Sequence, residues 1–211
     1  MAQMTLVVGD KNLSSWSLRP YLAISQTGTQ FNEVKIRLDQ PDTKQRIAEW
    51  SPSGRVPVLK DGDVAIWESL AICEYLAERF PEARLWPQDR IPRAIARAVS
   101  AEMHAGFMDL RRTCPMRAAE RLPTPELSPA VQADVARLFT VWRTCRERFG
   151  HGGPFLFGHF TIADAMYAPV VLRLVTYAIG VEPQDRAYMD AVLALPAMQR
   201  WLAGAKQEIS G

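Results

Sequence analysis

Several kinds of function are excluded by what this sequence has little of. It holds three cysteines in 211 residues, Cys73, Cys114 and Cys145, and they show no metal-ligand or Cys-x-x-Cys spacing. An odd set of distant cysteines is typical of a reducing compartment, so we expect a cytoplasmic protein. The 25 Lys and Arg are nearly balanced by 23 Asp and Glu, which leaves a net charge of +2. The chain therefore lacks the positive excess that nucleic-acid binding requires, and we expect no nucleic-acid partner.

Long hydrophobic runs are also absent. The longest run, residues 165–172, contains Pro169 and stops at Arg173, so it is well short of the ~20 residues that a membrane helix needs. The first run, Leu6 to Val8, is too short for the core of a signal peptide. We therefore expect no membrane partner. No metal site is expected either, because no ligand spacing relates the three histidines, which are His104, His151 and His159.

The first 80 residues alternate between strand and helix patterns. Six elements are predicted, in this order: a strand over Thr5–Val8, a helix from Ser14, Ser15 or Ser17 to about Thr27, a strand over Phe31–Leu38, a short helix from Asp42 or Thr43 to Trp50, a hairpin over Val56–Trp67 turning at Asp61-Gly62, and a helix over Ser69–Phe80. Asp-Gly is a typical pair for a type I′ turn. This order predicts a mixed sheet with a hairpin at its edge.

The rest of the chain shows helical patterns and no second sheet. The predicted helices run from about Arg93 towards Arg112 with a continuation past Pro115, over Ala130–Phe149, and from near Thr161, Asp185 and Pro196. The composition changes at residues 81–92, where we place a boundary between a domain of residues 1–81 and one of residues 92–211.

Four segments carry a resemblance to a known family. They are Ser14-Ser15-Trp16-Ser17 followed by Arg19, Ser51-Pro52-Ser53-Gly54-Arg55-Val56-Pro57-Val58-Leu59, Trp67-Glu68-Ser69-Leu70-Ala71-Ile72-Cys73-Glu74-Tyr75-Leu76, and Thr161-Ile162-Ala163-Asp164. In order and spacing they resemble the cytosolic glutathione S-transferases, in particular bacterial serine-type members that are zeta- or theta-like. The resemblance implies an α/β thioredoxin-like N-terminal domain that binds glutathione, followed by an all-α helical-bundle domain that shapes the pocket of the second substrate.

The resemblance also implies an activity. It is the conjugation of the glutathione thiolate, as co-substrate, to small hydrophobic electrophiles in detoxification, by a homodimer. A glutathione-dependent isomerase similar to maleylacetoacetate isomerase, a dehalogenase and a non-catalytic glutathione-binding module are the alternatives. Trp16 stands where the zeta-like class has a cysteine, which weakens the isomerase alternative.

The candidate catalytic residues are Ser14 and Ser15. The glutathione thiol must ionise to attack, and lowering a thiol pKa by about two units takes roughly 2.7 kcal/mol of preferential thiolate stabilisation. A serine hydroxyl at the N-terminus of a helix can donate one hydrogen bond to the sulfur, and the helix dipole favours the negative charge. Ser14 fits the zeta-like register and Ser15 the delta-like register, and we prefer Ser14.

Further residues are candidates for binding glutathione. In the family the bond equivalent to Val56-Pro57 is cis and turns the Val56 backbone towards the cysteinyl part of glutathione. Ser69 at a helix start suits the γ-glutamyl carboxylate, and Glu68 suits its ammonium group. The candidates for the glycyl carboxylate are Lys44 and Arg55.

By the same resemblance, the long helix and the loop before the first helix line the second-substrate pocket. The candidate residues are Leu13, Trp16, Met103, His104, Phe107, Met108 and Arg111, of which Met103, Phe107 and Arg111 recur at helical spacing. We expect Arg19 to form a structural ion pair or to pack its stem. Thr161 and Asp164 have the spacing of a capping box, a structural role.

Overall fold

A four-stranded sheet forms the centre of the N-terminal half in the computed structural model, which describes residues 3–210. The strands are β1 (Met4–Val8), β2 (Phe31–Lys35), β3 (Val58–Asp61) and β4 (Val64–Trp67), and the helices between and after them are α1 (Ser15–Gln26), α2 (Thr43–Ala48) and α3 (Ser69–Arg79). The sheet order is β2-β1-β3-β4; β1 runs parallel to β2 and antiparallel to β3. This is the predicted thioredoxin-like half, and the fold class is confirmed.

Side chains of the central strand β1 point alternately to the two faces of the sheet, and both faces are covered by helices. Leu6 and Val8 belong to the main core together with apolar residues of α1 and α3. Val7 points to the other face and joins a second cluster with Ile47 of α2. Because both faces are covered, the open positions are the loops at the carboxyl end of β1 and the junctions around β3 and β4.

The turn between β3 and β4 differs from its prediction. Asp61 pairs with Val64, so the two turn residues are Gly62 and Asp63 rather than Asp61 and Gly62. Only Gly62 has a positive φ, at 57°. A type I′ turn needs positive φ at both central residues, so that part of the prediction is wrong.

The second half is helical. After a 3₁₀ turn over Pro81–Ala83 come α4 (Arg90–Ala105), α5 (Met108–Thr113), α6 (Pro129–Phe149), α7 (Ile162–Thr176), α8 (Pro183–Leu193) and α9 (Pro196–Ser210). Within residues 3–210, no helix is long and apolar enough to cross a membrane.

The prediction of one long helix from Arg93 to Arg112 is wrong. The helix α4 ends at Ala105, Gly106 is extended, and Phe107 takes a left-handed conformation with φ 59° before α5 begins. Glycine is a poor helix former, and the break lets the Phe107 ring enter the core, where it is 6% exposed. Met103, Phe107 and Arg111 consequently do not share one helical face.

The helix α7 joins the two halves. It is buried along almost its whole length and packs on α1 and α4. The predicted capping box is present at its start, where the Thr161 N–H donates to Asp164 Oδ2 at 2.8 Å. The main core cluster contains residues of both halves. The domain bounds 1–81 and 92–211 stay a prediction.

Candidate active site

An open cleft of about 470 Å³ lies where the sheet domain meets α4. Six predicted site residues line it, together with Ser53 and Trp67: they are Trp16, Arg55, Val56, Pro57, Glu68 and His104. They come from the start of α1, the loop before β3, the β4–α3 junction and the end of α4. Residues far apart in sequence therefore converge on one surface.

The start of α1 holds a small network of hydroxyl groups. Ser14 is the N-cap, and its Oγ accepts a hydrogen bond from the Ser17 N–H at 3.3 Å. The same hydroxyl donates to Ser17 Oγ at 2.8 Å, which also accepts from the Gly9 N–H at 3.1 Å. Ser17 thus ties β1 to the first turn of α1. Sequence reasoning considered it only as a cap, although its i+3 spacing from Ser14 is the signal that identifies the pair.

Ser15 differs from Ser14 in its hydrogen bonding. Its hydroxyl makes no hydrogen bond to the part of the chain that the structure describes, whereas Ser14 is engaged in two. Both residues are nearly buried and lie next to Trp16, which does line the cleft. The catalytic role of either serine stays a prediction.

The Val56–Pro57 bond is cis, as the resemblance implied. Both residues line the cleft, and among residues 3–210 the Val56 N–H and C=O have no hydrogen-bond partner. Arg55 is exposed at the rim of the same wall. Lys44 is exposed on α2 but does not line the cleft, so the structure does not bring it to the other candidates.

The β4–α3 junction carries two predicted binding residues. Glu68 has φ 77° and ψ 124°, an uncommon conformation for a residue with a side chain. Its carboxylate lies 3.3 Å from His104 Nε2, which connects the sheet domain to α4. Ser69 begins α3, is 0% exposed, and its hydroxyl has no hydrogen-bond partner in the described chain. A buried hydroxyl without a partner is costly. Ser69 itself does not line the cleft, and its role in binding glutathione stays a prediction.

The wall behind the cleft is built around the Trp16 indole. The Arg19 guanidinium carbon lies 4.2 Å from the ring centroid, that of Arg111 lies 5.1 Å from it, and the His104 ring packs edge-on at 5.2 Å. Arg19 is 0% exposed, and none of its three guanidinium nitrogens has a hydrogen-bond partner in residues 3–210. Burial, reinforced by Arg111 and Arg173, lowers its pKa to about 9. The expected ion pair of Arg19 is therefore not formed.

Two family models match the chain. The N-terminal domain of glutathione S-transferase matches residues 13–79, and the C-terminal domain matches residues 128–204. The chain belongs to the glutathione S-transferase family. The predictions of the family, the enzyme class and glutathione as co-substrate are confirmed.

Individual relatives agree with this membership. The maleylacetoacetate isomerase of Rattus norvegicus is 28% identical over 192 residues, covering 88% of this chain and 87% of that protein. The zeta class glutathione S-transferase of Euphorbia esula is 26% identical over 166 residues, covering 77% and 73%. The solved structure of a glutathione transferase homologue from Burkholderia gl BGR1, with bound glutathione, is 25% identical with a TM-score of 0.74, covering 98% of this chain and 99% of that one.

Most of the second-substrate candidates of this glutathione transferase lie outside the cleft. Leu13 lines a different open cleft, beside Asn12, and Met103 and Phe107 are core residues. Met108 is 51% exposed, and the Arg111 guanidinium donates to the carbonyls of Met103 and Gly106 at the end of α4. Only Trp16 and His104 of this group line the cleft. Their roles in binding a second substrate stay predictions.

Proposed function

We propose that this glutathione transferase binds glutathione in the Trp16–Glu68 cleft and conjugates its thiolate to small hydrophobic electrophiles, as a detoxification enzyme of the cytoplasm. The observation that carries the proposal is the buried, unpartnered hydroxyl of Ser69 at the start of α3, directly after Glu68, which lines the cleft. The start of a helix with a free hydroxyl suits a carboxylate. Glu68 beside it suits an ammonium group, and the γ-glutamyl end of glutathione carries both.

With the γ-glutamyl end held at Glu68 and Ser69, the positions of the other parts of glutathione follow. The Val56 N–H and C=O are free to pair with the cysteinyl backbone as an added strand would. Arg55 at the rim supplies positive charge for the glycyl carboxylate, whereas Lys44 on α2 lies outside the cleft and is the weaker candidate. The sulfur then lies towards the start of α1, where Ser14 and Ser15 are found.

A serine hydroxyl stabilises the thiolate in this arrangement. Ser14 donates to Ser17 Oγ at 2.8 Å, so it exchanges a neutral hydrogen bond for one to a charged sulfur when glutathione binds. Charge-assisted hydrogen bonds are roughly twice as strong as neutral ones, so the exchange favours the sulfur. The Ser15 hydroxyl has no hydrogen bond to lose when glutathione binds, so Ser15 is the competing candidate for stabilising the thiolate.

Paired alanine variants test the mechanism. We expect Ser14→Ala to raise the pKa of the bound glutathione thiol by about one to two units, because a hydrogen bond to a charged group contributes about 1.5–3 kcal/mol. Conjugation slows at neutral pH and recovers above the raised pKa, and glutathione affinity at acidic pH, where glutathione binds as the thiol, stays nearly the same. The thiol pKa is measured from the pH dependence of thiolate absorbance, and affinity by calorimetry, with Ser15→Ala as the matched control.

Two results would contradict parts of this proposal. If Ser15→Ala loses more conjugation rate at neutral pH than Ser14→Ala, Ser15 is the residue that stabilises the thiolate. If the pH profile of conjugation is unchanged in both variants, the serine mechanism is refuted. Unchanged glutathione affinity in the double variant Ser69→Ala with Glu68→Ala would refute the anchor itself.

Isomerisation is the second candidate reaction. It is favoured by the similarity to the rat maleylacetoacetate isomerase, while Trp16 stands at the cysteine position of the zeta-like class. Turnover of a cis-olefinic diketo acid with catalytic glutathione, compared with consumption of glutathione by a chlorinated aromatic electrophile, separates the two. Conjugation without isomerisation is the expected result.

We further propose a homodimer, through a face that includes α4. The family resemblance supports this assembly, and Ile91 at the start of α4 is 56% exposed, which is high for a large apolar side chain. A second copy of the chain is its expected protein partner.

A further inference from the structure

Arg19 carries a buried charge whose state the proposed chemistry leaves unexplained. Its side chain is fully buried on α1, and its three guanidinium nitrogens lack partners in the described chain. A buried guanidinium normally forms hydrogen-bonded ion pairs, because removing its charge from water is expensive. Its close neighbour is instead the face of the Trp16 ring, at 4.2 Å.

The position of Arg19 on the helix places its charge near the candidate sulfur site. It follows Ser15 by four residues on α1, and helical side chains lean back over the preceding turn. The contact with Trp16, three residues earlier, shows that the guanidinium does lean this way. The positive charge therefore lies beside the first turn of α1, where the helix dipole already favours an anion.

Neighbouring charges make this region more positive. Arg111 and Arg173 both lower the pKa of Arg19, and both are themselves largely buried. Their guanidinium groups donate to backbone carbonyls, those of Gly106 and Cys114 among them, rather than to carboxylates. The Glu68 carboxylate is the weakest influence on Arg19, is half exposed and already pairs with His104. The half-buried Asp134 carboxylate acts on Arg111 and raises its pKa, whereas no carboxylate of the described chain pairs with Arg19.

We propose that Arg19 is an electrostatic positioning residue that stabilises the thiolate of bound glutathione through its field, without touching the sulfur. The inference rests on the proposed function, since it requires glutathione in the Trp16–Glu68 cleft. The bound thiolate supplies the counter-ion that Arg19 lacks. Complete burial of Arg19 behind the Trp16 wall fits action at a distance, and it also keeps water from screening the charge.

The direct test removes the charge. Two unit charges about 8 Å apart interact by an amount equivalent to about one pKa unit in partly buried surroundings. We expect Arg19→Met to raise the pKa of the bound glutathione thiol by about one unit, with little change in glutathione affinity well below that pKa, where glutathione binds as the thiol. Arg200→Met, which removes an exposed charge on α9, is the control and should leave the thiol unchanged.

A second pair of variants keeps Arg19 and neutralises its field. Cys73 on α3 is fully buried and lies within electrostatic range of the Arg19 guanidinium. Cys73→Asp gives Arg19 a carboxylate partner, and Cys73→Asn is its uncharged counterpart of nearly equal shape. We expect a higher bound-thiol pKa in Cys73→Asp than in Cys73→Asn, and this comparison holds even where Arg19→Met does not fold.

The outcomes separate this inference from the function on which it rests. If the wild-type enzyme binds no glutathione, the proposed function fails. If it binds glutathione as a thiolate and neither Arg19→Met nor the Cys73 pair moves the thiol pKa, only the role of Arg19 is overturned. A loss confined to electrophiles that carry a carboxylate, with the thiol pKa unmoved, also overturns it, because Arg19 then serves the second substrate.

Discussion

At the scale of single residues, Asp164 shows how burial and hydrogen bonding oppose each other. Its carboxylate accepts hydrogen bonds from the backbone N–H groups of Leu156 and Thr161 and from the Thr161 hydroxyl. Burial nevertheless dominates these bonds and raises its pKa from 3.8 to about 6. The folded protein therefore holds this proton more tightly than the unfolded chain does.

This pKa predicts a pH dependence of stability with a definite sign. Between about pH 4 and pH 6 the folded state binds more protons than the unfolded state, so the free energy of unfolding falls as the pH rises, by roughly 3 kcal/mol from this residue. Urea unfolding of the wild type and of Asp164→Asn at both ends of this range measures the effect. The variant should lose this contribution, and identical pH dependence in the two proteins would show that Asp164 does not cause it.

At the scale of elements, the junction between β4 and α3 combines binding with backbone strain. Glu68 has φ 77°, and an uncommon conformation of this kind costs a residue with a side chain about 1–3 kcal/mol. Glycine adopts it without this cost. We predict that Glu68→Gly is about 1 kcal/mol more stable than Glu68→Ala, while both weaken glutathione binding equally because both lose the carboxylate. Denaturant unfolding and calorimetry of the two variants check this, and a more stable alanine variant would contradict it.

The sequence predicted the elements of the first half well because their signals are local. The apolar pattern of residues 5–8 and the Pro57-to-Trp67 segment determine their strands from nearest neighbours alone. Gly106 is a local signal for the break after α4, but the signal alone does not decide it, since the break also depends on the burial of Phe107 and on Arg111 reaching back to the carbonyls of α4. Both are contacts made only in the folded molecule.

The predictions for the candidate site also succeeded where the signal is local and failed where it is not. Residues at element junctions, such as Val56, Pro57 and Glu68, were found because their motifs lie where the chain leaves one element for the next. For Arg19 the ion-pair alternative was wrong, because a sequence shows that a cation is present but not that its partners are absent, whereas the packing alternative agrees with its burial against Trp16. Only the packed structure reveals an unpaired buried charge.

At the scale of the whole molecule, the proposed dimer is open to a simple test. Sedimentation of the wild type should give twice the chain mass of 23.7 kDa at micromolar concentration. Ile91→Glu on α4 should shift the mass to that of a single chain, because it places a charge in the proposed interface. Ile209→Glu on α9, where the apolar side chain is similarly exposed, is the control and should remain dimeric. A monomeric wild type would refute the proposal.

The buried positions of the three cysteines have a consequence for how this protein tolerates oxidants. Burial raises the pKa of Cys73 and Cys114, and raises that of Cys145 to about 11, so none of them is a reactive thiolate. We therefore predict that the native protein reacts slowly with an aromatic disulfide reagent, and that three thiols react once it is unfolded. A rapidly modified thiol in the native protein would contradict this. The enzyme would then activate the thiol of glutathione while having no reactive thiol among its own cysteines. During oxidative stress, accumulating glutathione disulfide would not form mixed disulfides with the folded protein.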